Sequence, residues 1–96
     1  MIYAFVPNAK KLPRNRNWFR VKNQFLSKYN YCANCLRTDN LIVHHIYPFH
    51  SYPNLELDPG NLITLCNHFG SNCHFVIGHN GNWNFFNTDL VNLKPR

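Results

Sequence analysis

Ninety-six residues allow one small domain spanning 1–96, and a chain of this size buries only about two-thirds of its unfolded surface, so added staples are expected. The net charge of +6 and pI near 9.4 point to a polyanionic partner, most simply nucleic acid, all the more because residues 1–38 hold eight of the ten Lys and Arg and none of the four acids. No apolar run approaches the ~20 residues needed to cross a bilayer, so no membrane partner is expected.

Residues 1–7 are apolar and aromatic, and read as a short strand or an arm packing on the core. They are short and lack a charged leader, so they do not read as a signal peptide, and a cytoplasmic location is expected. Residues 10–16 are basic and broken by Pro13, a loop. Asn17 is a candidate helix cap, and Trp18, Val21, Phe25, Leu26 and Tyr29 then recur at helical spacing. This predicts a helix near 17–29, with a basic arm and helix together over about 8–30. Cys32-Ala-Asn-Cys35 has the spacing of a zinc knuckle, a tight turn with backbone amides aimed at sulfur.

Leu41 to Pro48 reads Leu-Ile-Val-His-His-Ile-Tyr-Pro. Residues 41–46 are predicted as a strand. Neighbours on a strand point to opposite faces, so His44 and His45 are expected to serve different parts of one cleft. Residues 47–61 form a long loop with prolines at 48, 53 and 59, and a loop this long in a small domain is usually functional. A second strand is predicted at 62–65, ended by Cys66. Ser71 or Asn72 is placed to cap a short helix over 73–77, with Gly78 as its stop. The core thus covers about 31–80. The tail, 81–96, carries Trp83, Phe85 and Phe86, and one last helical turn is predicted from Thr88 or Asp89.

Cys32-x2-Cys35 and Cys66-x6-Cys73 supply four soft ligands, enough for a closed tetrahedral zinc site joining the loop after the first helix to the end of the second strand. In a chain with no export signal, metal is favoured over two disulfides or free thiols, which are the other readings. A redox CxxC is disfavoured because no parallel βαβ pattern surrounds it.

The pair His44-His45, then Asn61, then His74, framed by the two cysteine pairs, resembles the HNH endonuclease motif, and the resemblance covers roughly residues 14–79. Gly-His-Asn-Gly-Asn-Trp (residues 78–83) is similar to small phage-type members. The family implies an α+β fold: a small ββα-metal domain with a preceding helix, stapled by structural Zn²⁺ on Cys32, Cys35, Cys66 and Cys73. It implies a metal-dependent hydrolase of DNA phosphodiester bonds. By this resemblance His44 and His74 are metal ligands, His45 is the general base, and Asn61 hydrogen-bonds across the loop to hold the base. A histidine suits proton abstraction near neutral pH, and a divalent ion suits the phosphate charge and the leaving oxygen. Mg²⁺ or Mn²⁺ is the expected ion, although imidazoles also accept Ni²⁺ or Zn²⁺.

Many relatives place a further histidine ligand four residues after the third motif histidine. Here that position is Gly78, and the histidine is His79. Five residues along an ideal helix is about 140° from the start, so His79 joins His74 only if Gly78 ends the helix in a left-handed conformation. The alternative is that His79 faces solvent or substrate. His50 reads as a loop residue, and His68 as a spare histidine beside four sufficient cysteines. The rival functions are a catalytically silent DNA-binding module of the same fold, and a zinc-ribbon accessory of a larger assembly such as a phage packaging machine.

Overall fold

The computed structural model describes residues 3–5 and 13–94. Most of the predicted N-terminal arm, including Lys10 and Lys11, lies outside the described residues. The fold is α+β. Its centre is an antiparallel hairpin of β2 (Leu41–His45) and β3 (Leu62–Cys66), in which Leu41 faces Cys66, His44 faces Ile63 and His45 faces Leu62. Every residue of β3 is buried, because the hairpin is covered on both faces. That is why the strand is apolar on both faces, apart from Thr64, rather than alternating.

On one face lies α1 (Trp18–Lys28), whose Trp18 and Phe25 pack with Leu62 and, at the edge, with Val21, Tyr29, Val43 and Leu57. Thr64 ties the helix end down by donating its hydroxyl to the Tyr29 carbonyl at 2.7 Å. On the other face Ile46, Ile63, Leu65 and Leu90 form the second cluster with Cys32, Cys66 and Cys73. Burying one such aliphatic side chain stabilises by roughly 1.5–3 kcal/mol.

Two local expectations are corrected. Asn17 does not cap α1 through its side chain; it has helical backbone angles, and its own N–H donates to Asn15 Oδ1 at 2.8 Å. The short helix after Cys73 is a single π turn, His74–Gly78, and neither Ser71 nor Asn72 caps it with a side chain. Gly78 lies inside that turn, and the left-handed residues that end it are Asn80 and Gly81, at φ 53° and 72°. The Gly81 N–H donates back to the Phe75 carbonyl at 2.9 Å, closing the turn.

The tail adds β4 (Phe85–Asn87), paired antiparallel with β1 (Tyr3–Phe5). The expected strand in residues 1–7 is therefore present, and its partner is one the sequence did not announce. A 3₁₀ helix, Thr88–Leu93, follows, capped by Asn87, whose Oδ1 accepts from the Asp89 N–H at 2.9 Å. This is the last helical turn expected at Thr88 or Asp89. No helix among the described residues is long and apolar enough to cross a membrane.

Candidate metal centres and active site

At the end of β2 the pleat sends His44 and His45 to opposite sides, as expected for neighbours on a strand. His44 turns toward the π turn and meets His74 and His79. The three ring centroids are each 4.9 Å from the other two, with the planes crossed at 66–77°. One ligand nitrogen from each ring lies within 4.8 Å of the others. The sequence left His79 open; the structure brings it into the cluster by a route other than the one considered. A π turn bonds residue i to i+5, so a residue five positions on stands one turn above the first. The extra residue is absorbed by widening the turn, and Gly78 need not break it.

The tautomers are set from behind. His79 Nδ1 donates to the Phe85 carbonyl at 2.7 Å, and His74 Nδ1 lies 3.0 Å from Asn67 Oδ1. Both rings therefore present an Nε2 lone pair inward, and these two nitrogens are 3.2 Å apart. Two donors sharing a tetrahedral ion at ~2.1 Å stand about 3.4 Å apart. His44 Nε2 is buried and lacks a hydrogen-bond partner among the described residues. Three inward lone pairs, one of them orphaned, fit a cation. Burial, and then the neighbouring imidazoles, hold His44 well below the usual histidine range, and the same causes bring His74 down to about 4. Burial also lowers His79. At neutral pH all three are unprotonated, the state that binds metal.

His45 occupies the opposite side of the strand end and lines the same cleft as His44, His74 and His79. Its ring stacks on Trp18 at 4.6 Å. Its Nε2 lies 2.8 Å from the Glu56 carbonyl, which can only accept, so Nε2 carries the proton and Nδ1 of the neutral ring keeps its lone pair. Burial lowers the pKa of His45, partly offset by that carbonyl.

The Asn61 side chain hydrogen-bonds to the loop backbone rather than to His45. Its Oδ1 accepts from the Tyr47 N–H at 2.8 Å, and its Nδ2 donates to the carbonyls of Tyr47 at 3.0 Å and Leu55 at 3.3 Å. It staples the two ends of the long loop, next to the Glu56 carbonyl that orients His45. The Glu56 side chain, buried, accepts from the Asn15 N–H at 3.1 Å and lies 3.8 Å from Arg14 Nη1. Arg14 leans into the cleft with its guanidinium 3.9 Å from the Phe49 ring centroid and 5.0 Å from that of Trp18.

The four cysteines form a second cluster, their sulfurs all within 4.8 Å of one another. None of the four is joined in a disulfide. Cys35 Sγ and Cys66 Sγ are 3.7 Å apart, near the ~3.8 Å of two sulfurs on one tetrahedral ion at ~2.3 Å. Around them the Cys73 N–H donates to Cys66 Sγ, the Ser71 hydroxyl lies 3.2 Å from it, and the Asn34 amide donates to Cys73 Sγ at 3.4 Å. Burial pushes the Cys73 thiol up to about 12. Burial would raise Cys66 as well, but the hydrogen bonds from Ser71 and the Cys73 and His68 amides outweigh it and bring it to about 6. Such a group can hold a metal ion. His68 is not part of it and instead accepts the Gly70 N–H.

Sequence reasoning missed the roles of Asn67, Phe85 and Glu56, which act through backbone or supporting contacts that no motif spells out. It also set His50 aside, although His50 lines the cleft. A histidine within six residues of the His-His pair in a proline-bounded loop was the available signal.

A β-hairpin closed by a short helical turn, with three imidazoles converging between them, is a ββα-metal arrangement. Residues 32–75 match the family model described as HNH endonuclease, and the resemblance to that family is shown over this stretch. The match takes in all four cysteines, both histidines of the pair, Asn61 and His74. No curated protein and no solved structure matches the chain.

Proposed function

We propose that this protein is a metal-dependent HNH endonuclease that hydrolyses DNA phosphodiester bonds. The observation that carries the reading is the convergence of three imidazole nitrogens beside a fourth histidine whose tautomer is fixed for accepting a proton. His44, His74 and His79 would hold the catalytic divalent ion, Mg²⁺ or Mn²⁺ or the Ni²⁺ or Zn²⁺ that imidazoles also accept, and Cys32, Cys35, Cys66 and Cys73 a structural Zn²⁺. When bound, the catalytic ion supplies charge stabilisation to the scissile phosphate and its leaving oxygen.

The chain's own residues do the rest. His45 Nδ1 takes the proton of the attacking water. The Glu56 carbonyl, accepting from Nε2–H, keeps the ring in that tautomer and stabilises the imidazolium that results. Trp18, stacked on the ring, fixes its plane and keeps bulk water from that side. Asn61 is a positioning residue that acts through the loop. Arg14, held by Glu56 and two aromatic faces, presents a cation to the phosphate entering the cleft; its pKa is lowered by burial and sustained by Glu56, and it stays charged. Arg16 and Arg20, exposed, and Lys22 supply further phosphate contacts around the helix.

The test is plasmid relaxation with added Mg²⁺ or Mn²⁺, comparing wild type with His45→Ala. The variant is expected to cut about 10²–10⁴-fold more slowly while binding metal and DNA normally. A wild type that binds DNA but never cuts it would instead support the silent module or an accessory role in a larger assembly.

A further inference from the structure

The cleft does not end at the histidine cluster. Pro48, His50 and His79 form a wall it shares with a second hollow of about 270 Å³, whose other side is Trp83, Phe85 and Phe86. Trp83 is 59% exposed, yet its ring is held from behind, 4.7 Å from Phe75, 4.8 Å from His79 and 5.2 Å from His74 between centroids. It is a rigid aromatic face set against two members of the histidine cluster and open toward the hollow. In the shared wall, His50 Nδ1 is buried and has no hydrogen-bond partner among the described residues. Buried polar atoms are almost always paired, so this one asks for a ligand atom.

A flat apolar face and an unpaired ring nitrogen together suit a nucleobase, which has a π-face and a hydrogen-bonding edge. The hollow is smaller than the roughly 300–1,000 Å³ of sites for drug-sized molecules, a size for one base and little more. We infer that it receives the base of the nucleotide flanking the scissile phosphate, stacked on Trp83 and hydrogen-bonded to His50. In continuous duplex both faces of every base are covered by neighbouring pairs, leaving none for Trp83. The substrate class is therefore DNA with unstacked bases at the cut: single strands, flaps or gaps. This inference rests on the nuclease reading above and narrows its substrate.

The experiment measures affinity by fluorescence anisotropy for a labelled single-stranded oligonucleotide and for the same sequence as a blunt duplex, with Mn²⁺ and in a His45→Ala background so that nothing is cut. Trp83→Leu, which keeps apolar bulk without a π-face, is expected to weaken single-strand binding roughly ten- to a hundred-fold and duplex binding less than about two-fold. Trp83→Phe should keep most of the affinity, and His50→Ala should lose about five-fold on the single strand alone. A second reading, taken on the protein with His45 intact and without added divalent ion so that nothing is cut, needs no change at position 83: the single strand should quench the emission of the exposed Trp83, whereas Trp18 is buried and stacked on His45. No quenching, or a Trp83→Leu loss that is equal on single strand and duplex or absent from both, overturns the inference. Its failure is distinct from that of the nuclease reading. An enzyme that cuts duplex well and ignores Trp83→Leu remains a nuclease, whereas a protein that cuts nothing can still show the stacking.

Discussion

Gly78 is the residue on which the histidine cluster closes. A Cβ at this position would stand 3.2 Å from Leu65 Cδ1, 3.5 Å from His44 Nε2 and 3.6 Å from His74 Cδ2. Leu65 is fully buried and cannot yield easily, so the added methyl must be absorbed by the rings. Gly78→Ala is expected to lower affinity for the divalent ion about ten-fold with little loss of helix content, read by calorimetry and circular dichroism. The histidines themselves give a pH prediction. An unfolded histidine takes its proton near pH 6.5, whereas His74 takes it near 4 and His44 lower than usual, both through burial. Between those values the unfolded chain binds more protons than the folded one, so stability falls as the pH drops from about 6.5 through about 4. Proton competition for the ligand nitrogens acts in the same direction. The melting temperature, measured from pH 7.5 to 4, should fall on acidification, with the histidine share of the decline between about 6.5 and 4 and a share from the lowered Cys66 thiol above it. His74→Gln should make that decline shallower.

The π turn is the element that departs from the common spacing of the HNH motif this chain resembles. Regular α geometry, applied to the sequence, puts His79 on the wrong side of His74, and the sequence argument had to enlist Gly78 to bend the chain back. What happens instead is a one-residue expansion of the turn, which no residue type signals in advance. Deleting Val76, which is half-exposed, should convert the π turn to an α turn with the two histidines four apart and still on one face. Metal affinity is then expected to stay within about ten-fold of wild type by calorimetry. A complete loss would mean that the π geometry, rather than the shared face, makes the site. Other elements were legible for plain reasons. The hairpin follows from two apolar runs, and α1 from the spacing of Trp18, Val21 and Phe25. The pairing of β1 with β4 joins residues from opposite ends of the chain, such as Tyr3 with Asn87, and rests on three-residue strands, too short to show a period. Asn61 was legible as the residue that hydrogen-bonds across the loop, but its particular partners, the Tyr47 amide and the Tyr47 and Leu55 carbonyls, were not.

Across the whole molecule, the two clusters share one hairpin and one junction. Cys73, in the sulfur cluster, is followed directly by His74, in the imidazole cluster, and Cys66 ends the strand whose Leu65 packs under Gly78. The four cysteines also fix the Cys32–Cys35 loop, which follows α1, to the hairpin, since the Ala33 N–H donates to the Thr64 carbonyl at 2.9 Å beside them. A chain of this size has a limited core, so an ion on those sulfurs carries a large part of its folding free energy, on the order of 10 kcal/mol in small zinc peptides. Chelation alone cannot isolate this effect, because it also strips the histidines. Cys35→Ser can, since Cys35 is the exposed member and does not line the histidine cleft. The variant is expected to lose zinc, most of its helical and strand signal in circular dichroism, and with them the divalent site, whereas His74→Ala should lose divalent affinity and keep the fold. A Cys35→Ser protein verified to be free of zinc, with an unchanged spectrum and normal metal-dependent cutting, would show that the sulfur cluster is not the staple of this fold.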